Sequence, residues 1–595
     1  MDKKTIIGIV LIIIITLLMP FYQRWIGGDQ KPPADSLLTR DTSLVLQPAA
    51  SDSQEIVEPG PESVPDGSEE VDQSTDVLVQ EAGPTKTIQI ENEVFTTVWS
   101  TARGANPLSW ELKNYQHYSG GPINLIADNA LIVNFLNVDG KEFNLNDYTL
   151  FADYPDGQKV VLDASNPQYE VKYYLPLKNG RVIKSLRFYY DHYSFDVIIS
   201  FENLQNYIIN RRYFIGWENG LKSSEKNVAD DLTYSRAYTY MAEELINLDA
   251  SDKYGEKDFN GRVDWAAVRT KYFLVSLIPT DAGRTNGVSI GGVKTKINNQ
   301  REEKQYRFII DSQYQPLPTH SDTFKVFLGP LDYYILKDYG ADLQTLVMNK
   351  DWYERLFRPI SLVIIPAFKF LYRFIPNYGL VIIIFSILIK VLLHPLTKKS
   401  YQSMSEMQFL QPKMTELREK YKNEPQRMNS ELMKLYKEHG VNPLGGCLPM
   451  LLQMPVLFAL FIVFRSTIQL RHQPFVLWMK DLSAPDALPL GTTLPLIGDN
   501  IHVLPVLMGI TMIWQSKVSM TDPKQKFMIY FMPIFMIFIF YSLPSGLNLY
   551  YAIFNILSMA QTYFIKKKMH PGEPQSAGIA AVGSKGTAES SKKKK

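Results

Sequence analysis

Between Asn377 and Ile565 the chain carries five long apolar segments that contain no Asp or Glu, and the first of them holds a lysine, Lys390, well inside it. The run Tyr378 to Leu396, YGLVIIIFSILIKVLLHPL, is about the length needed to cross a hydrocarbon core of roughly 30 Å. A cation there without a carboxylate on its own segment is costly and usually functional. Ser386 and Lys390 stand four apart and share a helical face. Two readings of Lys390 are open. Its long stem could snorkel to headgroups near Lys398, about 12 Å away along a helix, or it could face a water-filled cavity opening from one side of the bilayer, the more usual setting for an interior charge.

Length and charge set the frame for that cavity. At 595 residues the chain exceeds one domain, and its net charge of +1 selects no partner. The single cysteine, Cys447, excludes an intrachain disulfide and reads as a small packed residue. The eight histidines are scattered, none at ligand spacing with Cys or a carboxylate, so neither a metal nor a cofactor is expected.

Residues 1–26 begin MDKKTIIGIVLIIIITLLMPFYQRW, with nineteen uncharged residues from Thr5 to Gln23 and no small-residue cleavage site after them. They read as an uncleaved transmembrane anchor. Residues 27–86 read as a disordered acidic linker, with thirteen acidic residues against two basic between Asp29 and Glu81. From Thr87 to about Leu328 short alternating runs, such as Phe195, Val197, Ile199 and Phe201, predict an antiparallel β-sandwich with one wet face per sheet. Its aromatic residues are expected in the core and in cross-strand pairs rather than on a ligand platform. Residues 330–350 look helical and close this domain, taken as 87–350. Residues 351–376 mix aromatic and basic side chains around an uncharged stretch too short to span, which predicts an amphipathic helix along the membrane–water interface.

The remaining expected spans are Leu448 to Phe464, His502 to Ser516, Phe527 to Leu543 and Gly546 to Ile565, completing a five-span core over 377–568 and six spans in all. The loop 397–442 holds nine Lys or Arg and the chain after Ile565 eight, whereas Gln469 to Asp499 holds two. The positive-inside rule then puts both termini and the basic tail 569–595 in the cytoplasm and the β-domain outside it. Within 397–442, Met404, Met407, Met414, Leu417 and Tyr421, then Met428, Leu432 and Leu435 after Pro425, predict a helical hairpin with one apolar seam. A plain spacer is the competing reading. A basic, Met-rich hairpin also suits contact with varied apolar chains or an RNA-rich surface.

The stretch from Tyr378 through HPLTKKSYQSMSEMQFLQPKM, then VNPLGGCLPMLLQMPVLFAL, PFVLWMKDLSAPD, LPVLMGITM, TDPKQK, FMPIFM and LPSGLNLYYAIFN resembles the core of the YidC-type membrane protein insertases. RGANPLSWELKNY, WAAVRTKYFLVSLIP and FLGPLDYYIL are similar to landmarks of that family's large periplasmic domain, so the likeness is to the Gram-negative form. The resemblance implies a multi-domain protein of the bacterial inner membrane: a periplasmic all-β supersandwich on an α-helical core, acting as insertase and chaperone for nascent membrane proteins, alone or beside the Sec translocon. It implies a hydrophilic groove open to cytoplasm and lipid, with Lys390 where many relatives carry Arg, and with Ser386, Gln453, Tyr551 and Asn555 on groove or substrate-contact positions. Ser542 stands where some relatives have Trp. The hairpin and basic tail would meet the ribosome or targeting machinery.

Two rival functions remain. Ser386 with Lys390 could form the Ser–Lys pair of a membrane protease, but no oxyanion-hole signature accompanies it. An ion-coupled transporter would be expected to show repeated halves and intramembrane carboxylates, and neither is present. No nucleotide-binding motif appears either, so partitioning and the membrane potential would supply the drive.

Overall fold

The alternation around Phe195 builds a strand whose odd-numbered side chains all enter one core. Phe195, Val197, Ile199 and Phe201 on strand Ser194–Glu202 are fully buried, as expected for residues two apart on a pleated strand. The computed structural model describes residues 82–569 apart from 128–129, 299–300, 349–351, 442–447, 495–497 and 520–525. The expected anchor, most of the expected linker, the basic tail and Cys447 lie outside the described residues.

Strand Ser194–Glu202 is central in a nine-stranded sheet that runs from Glu244–Leu248 at one edge to Phe151–Ala152 at the other. One face of this sheet packs against two smaller ones. Phe195 meets Trp99 and Trp110 of a five-stranded sheet at ring-centroid distances of 5.4 and 5.3 Å. Six residues on, Phe201 meets Phe135 and Tyr213 of a six-stranded sheet at 5.9 and 5.1 Å. This stacking of one large sheet on two small ones is a supersandwich, and its aromatic residues are core. The five-stranded sheet contains a parallel pair, Thr87–Glu91 with Gln158–Val161, where only antiparallel pairing was expected.

Three expectations about this region need correction. The linker ends sooner than residue 86: Gly83 N donates to Thr149 O at 2.8 Å, and Lys86 N and Nζ donate to Thr101 Oγ1 and Ala152 O at 2.8 and 3.0 Å. The nine-stranded sheet does not keep one wet face throughout, since every residue of Trp265–Arg269 and Phe273–Pro279 is buried. The segment after the last strand covers them, with Trp265 Nε1 donating to Ala341 O at 2.7 Å and Arg269 Nη1 to Leu346 O at 2.6 Å. Residues 330–348 are not one helix but hold a short α-helix and, further on, a 3-10 turn at Leu343–Leu346. Helix α2 is only Tyr333–Lys337, capped by Asp332, and positive φ at Gly340, Ala341 and Asp342 ends any continuation. A short helix α1, Val228–Tyr234, lies earlier in the same domain.

Helix α3, Trp352–Phe374, is amphipathic in the expected place. Ser361, Ile364, Ile365 and Phe368 are buried at helical spacing, while Trp352, Leu356, Val363, Phe370 and Phe374 are exposed. Helix α4, Tyr378–Phe409, starts at Asn377, whose side chain accepts from Leu380 N at 3.1 Å. It runs 32 residues with Pro395 inside, so the expected boundary between span and loop at Leu396 does not exist. Helices α5, Gln411–Lys420, and α6, Pro425–Glu438, form the expected hairpin with its own small core of Leu410, Met414, Leu432, Leu435 and Val441. Met404 and Tyr421, expected in the seam, are not in that core.

Four further helices complete the bundle: α7, Leu448–Ser466, α8, Val503–Ser519, α9, Lys526–Phe540, and α10, Ser545–Met569. Each falls on an expected apolar segment. By length and composition one described helix, α4, can cross a membrane, while Leu451–Ser466 and Ile529–Phe540 are shorter apolar runs. Helix α10 packs against both α4 and α8, and α3 against α7. The turn into α10 is fastened to the loop before α8, with Ser545 N and Gly546 N donating to Ala484 O and Leu482 O at 2.8 and 3.0 Å. Gly546 must be small here, because a Cβ would stand 2.7 Å from the Phe464 ring. The strand pair Leu488–Leu494 with Gly498–Ile501 in that loop was not foreseen.

Candidate functional site

Lys390 lies midway along α4 and is 9% exposed. Its Nζ donates to Ser558 Oγ of α10 at 2.7 Å and to Tyr401 OH at 3.3 Å. It also sits over the rings of Phe554 and Tyr401, 4.5 and 5.0 Å from their centroids. Two hydroxyls and two π-faces solvate the cation, and among the described residues no carboxylate pairs with it. Ser558 Oγ in turn donates to Phe554 O at 2.8 Å, which aims its lone pairs at the lysine.

Ser386, one turn before Lys390, is fully buried, and its hydroxyl donates to Ile382 O of its own helix at 2.7 Å. Serine in an apolar helix commonly makes this bond. It is directed away from Lys390, so the two do not form a nucleophile–base pair.

Tyr551, Asn555 and Ser558 stand at i, i+4 and i+7 on α10 and share a face. Asn555 Nδ2 donates to Thr511 Oγ1 of α8 at 3.3 Å, and Tyr551 packs against Phe540 of α9 with ring centroids 5.5 Å apart. All three are buried. Gln453, on α7, is buried with its Nε2 amide lacking a hydrogen-bond partner among the described residues. A buried amide of this kind calls for water or a polar ligand.

The structure therefore joins Lys390 to the α10 face that carries Tyr551 and Asn555, and places Ser386 beside it on α4. It does not join Gln453 to them by a hydrogen bond. Sequence reasoning missed Ser558, Tyr401, Phe554 and Thr511. Tyr401 had a visible signal, since eleven residues after Lys390 is close to three helical turns, provided the helix continues past Leu396. Among the described residues no group of three or more His, Cys, Asp or Glu could hold a metal ion.

Two family models match the chain: the 60Kd inner membrane protein over residues 370–573 and the YidC periplasmic domain over residues 87–359. An inner-membrane protein with a helical C-terminal region and a large β-rich periplasmic domain is the class that fold and matches define. The membrane protein insertase YidC of Prosthecochloris aestuarii is 38% identical over 583 residues, covering 95% of each chain. That of Chlorobium limicola is 35% identical over 597 residues, covering 98% of this chain and 97% of the relative. A solved structure of an active YidC insertase with its first transmembrane domain resolved is 19% identical, covers 81% of this chain and 95% of that one, and has a TM-score of 0.34. The chain belongs to the YidC family of membrane protein insertases, which are not enzymes. Its substrates are nascent membrane proteins.

Proposed function

We propose that insertion runs through a polar groove between α4, α7, α8 and α10, with Lys390 as its fixed charge. The single observation that carries this reading is the neutral setting of Lys390: a cation inside apolar helices, held by hydroxyls and rings and with no carboxylate partner among the described residues. A polar segment crossing a bilayer loses its hydrogen bonds to water. A wet half-depth groove containing Lys390, Ser386, Gln453, Tyr551 and Asn555 shortens that dry path, and the cation attracts acidic translocated tails. The client's apolar span then moves sideways into lipid, driven by its own hydrophobicity.

In this reading the chain spans the inner membrane six times, the first time through residues 1–26, with both termini cytoplasmic. The linker that begins at residue 27 and ends before Gly83 tethers the periplasmic domain, residues 351–376 lie at the interface, and 377–568 form the insertase core. The hairpin 397–442 and the tail 569–595 face the ribosome or targeting machinery, and the protein works alone or beside the Sec translocon. Insertion of a protease-accessible reporter into vesicles tests the charge. Lys390→Arg is expected to insert and Lys390→Ala to fail most with acidic tails; equal loss in both, with loss in Ser386→Ala, contradicts the mechanism.

A further inference from the structure

The loop between α7 and α8 touches the first turns of three helices. Asp486, buried near the end of its irregular part, accepts through Oδ2 from Val503 N and Leu504 N, the first two N–H groups of α8, at 2.7 and 2.9 Å. The same oxygen accepts from Trp478 Nε1 at 2.8 Å. The loop's backbone serves α10 in the same way through Ala484 O and Leu482 O, and Ser545 Oγ adds a bond to Asp481 O at 2.8 Å. On α4, Phe475 fills a notch at Gly379, where a Cβ would collide with the ring. The loop holds its own shape around Asp481, whose Oδ1 accepts from Ser483 N and Oγ at 2.8 and 2.7 Å and from His472 N at 3.2 Å.

A helix leaves its first N–H groups without partners inside itself, and a side chain just before it usually meets them. Neither α8 nor α10 has such a cap of its own. His502 precedes the first with a ring nitrogen bonded to Asp486 O, and Pro544 precedes the second. Both helices take their caps from the same stretch, Asp481 to Asp486, so their first turns are held at one spacing. The other oxygen of Asp486, Oδ1, has no hydrogen-bond partner among the described residues, and the bonds of this carboxylate go to α8 and to Trp478. Farther along, α8 and α10 are joined by the single bond of Asn555 to Thr511. Helices in lipid gain no hydrophobic drive for packing on one another, and one polar contact holds them only weakly.

We propose that Asp486 is a positioning residue for insertion: the loop it closes clips the first turns of α4, α8 and α10 together and so sets the width of the groove from one end. Thr511 is eight residues from Val503 and Asn555 ten from Ser545, about 12 and 15 Å along their helices at 1.5 Å per residue. The one proline on either path, Pro505, sits in the first turn of α8, where it removes no helical bond. Clipped at their first turns, the helices can part at the opposite end to admit a client while the clipped end stays shut. Every group in the clip lies between Gly379 and Gly546, so the device belongs to the helical core itself. Its geometry is independent of Lys390. Its effect on insertion rests on the groove reading, whose own failure shows in the Lys390 variants rather than in helix spacing.

The test uses the full chain in lipid nanodiscs in a Cys447→Ser background, with spin labels at Leu380→Cys of α4 and Leu507→Cys of α8, both exposed positions. The parent is expected to give one narrow distance distribution. Asp486→Ala is expected to broaden it toward longer distances, the ratio of clipped to splayed molecules falling about tenfold, and to lower reporter insertion severalfold. Asp486→Asn keeps an acceptor in place and caps a helix about as well, so it is expected to retain both the spacing and insertion. His502→Asn separates clip from cap. Added to Asp486→Ala it gives α8 a cap of its own, and is expected to raise the melting temperature while the distribution stays broad and insertion stays low. Gly379→Ala leaves Asp486 intact, which covers the case in which Asp486→Ala does not fold; it displaces Phe475 and is expected to broaden the distribution in its own right. A narrow distribution in both Asp486→Ala and Gly379→Ala, a broad one with full insertion, or recovery of spacing and insertion by His502→Asn overturns the proposal.

Discussion

A single ammonium group with no counter-ion among the described residues makes two opposite demands at Lys390. Its setting of hydroxyls and aromatic faces gives it partial solvation, and an uncompensated buried cation lowers stability. Lys390→Met, similar in length and uncharged, should therefore raise the melting temperature in detergent while reducing insertion; a fall in both would mean that the lysine is a structural tie. Asp231 is a second buried charge with a measurable signature. Burial pushes its carboxyl up to about 6, against the lowering effect of bonds from Ser223 Oγ and Lys271 N, while Glu225 nearby adds to the rise. The folded state thus holds this proton more tightly than the unfolded chain does. Its stability contribution is full below about pH 4 and is lost as the pH climbs to about 6, a cost of about 3 kcal/mol above that. Asp230, with its lowered pKa, contributes constantly over the same window and loses its effect only at lower pH. The stability gained by Asp231→Asn should accordingly be larger at neutral pH than near pH 4.5, as read by thermal unfolding of both proteins. Lys390 was legible in the sequence because a charge inside an apolar run breaks composition. Ser558 was not, because its role comes from how α4 packs on α10, and periodicity within one helix carries no information about its neighbour.

The elements differ in how openly the sequence declares them. The five apolar helices follow from uninterrupted apolar composition and the hairpin seam from hydrophobic spacing. Residues 330–350 misled because their apolar spacing suits a helix, whereas three consecutive residues with positive φ decide the outcome. Met407, Met414 and Met428 pack in one seam, so replacing them with Leu should change the hairpin's resistance to limited proteolysis little. Leu432→Asp, placing a charge in that seam, should open it. The turn into α10 is less forgiving. Gly546→Val would drive carbon into Phe464 and toward Leu482 O, and should cost about 1–3 kcal/mol in thermal stability.

Across the whole molecule, the supersandwich was readable as an alternating β-domain, but its attachment was not. A domain without a catalytic constellation, joined to the chain by a tether, invites the view that residues 87 to about 320 are dispensable. Yet Gln116, Glu225 and Asp230 lie within that range and meet Arg465 and Arg471. Deleting it should reduce insertion in vesicles only modestly but lower the melting temperature of the helical core, and Arg465→Gln with Arg471→Gln should recover part of that stability by removing stranded cations; a deletion that abolishes insertion would contradict this. Helix α4 has a different reach. Because it runs unbroken from Tyr378 to Phe409, about 48 Å at 1.5 Å per residue, the hairpin is not hung from the bundle by a slack joint. It is mounted on the far end of the rod that carries Lys390, and Tyr401, on the stretch of rod between them, touches that lysine. A push on the hairpin by an arriving polypeptide is then a torque on the charge, delivered without any loop to absorb it.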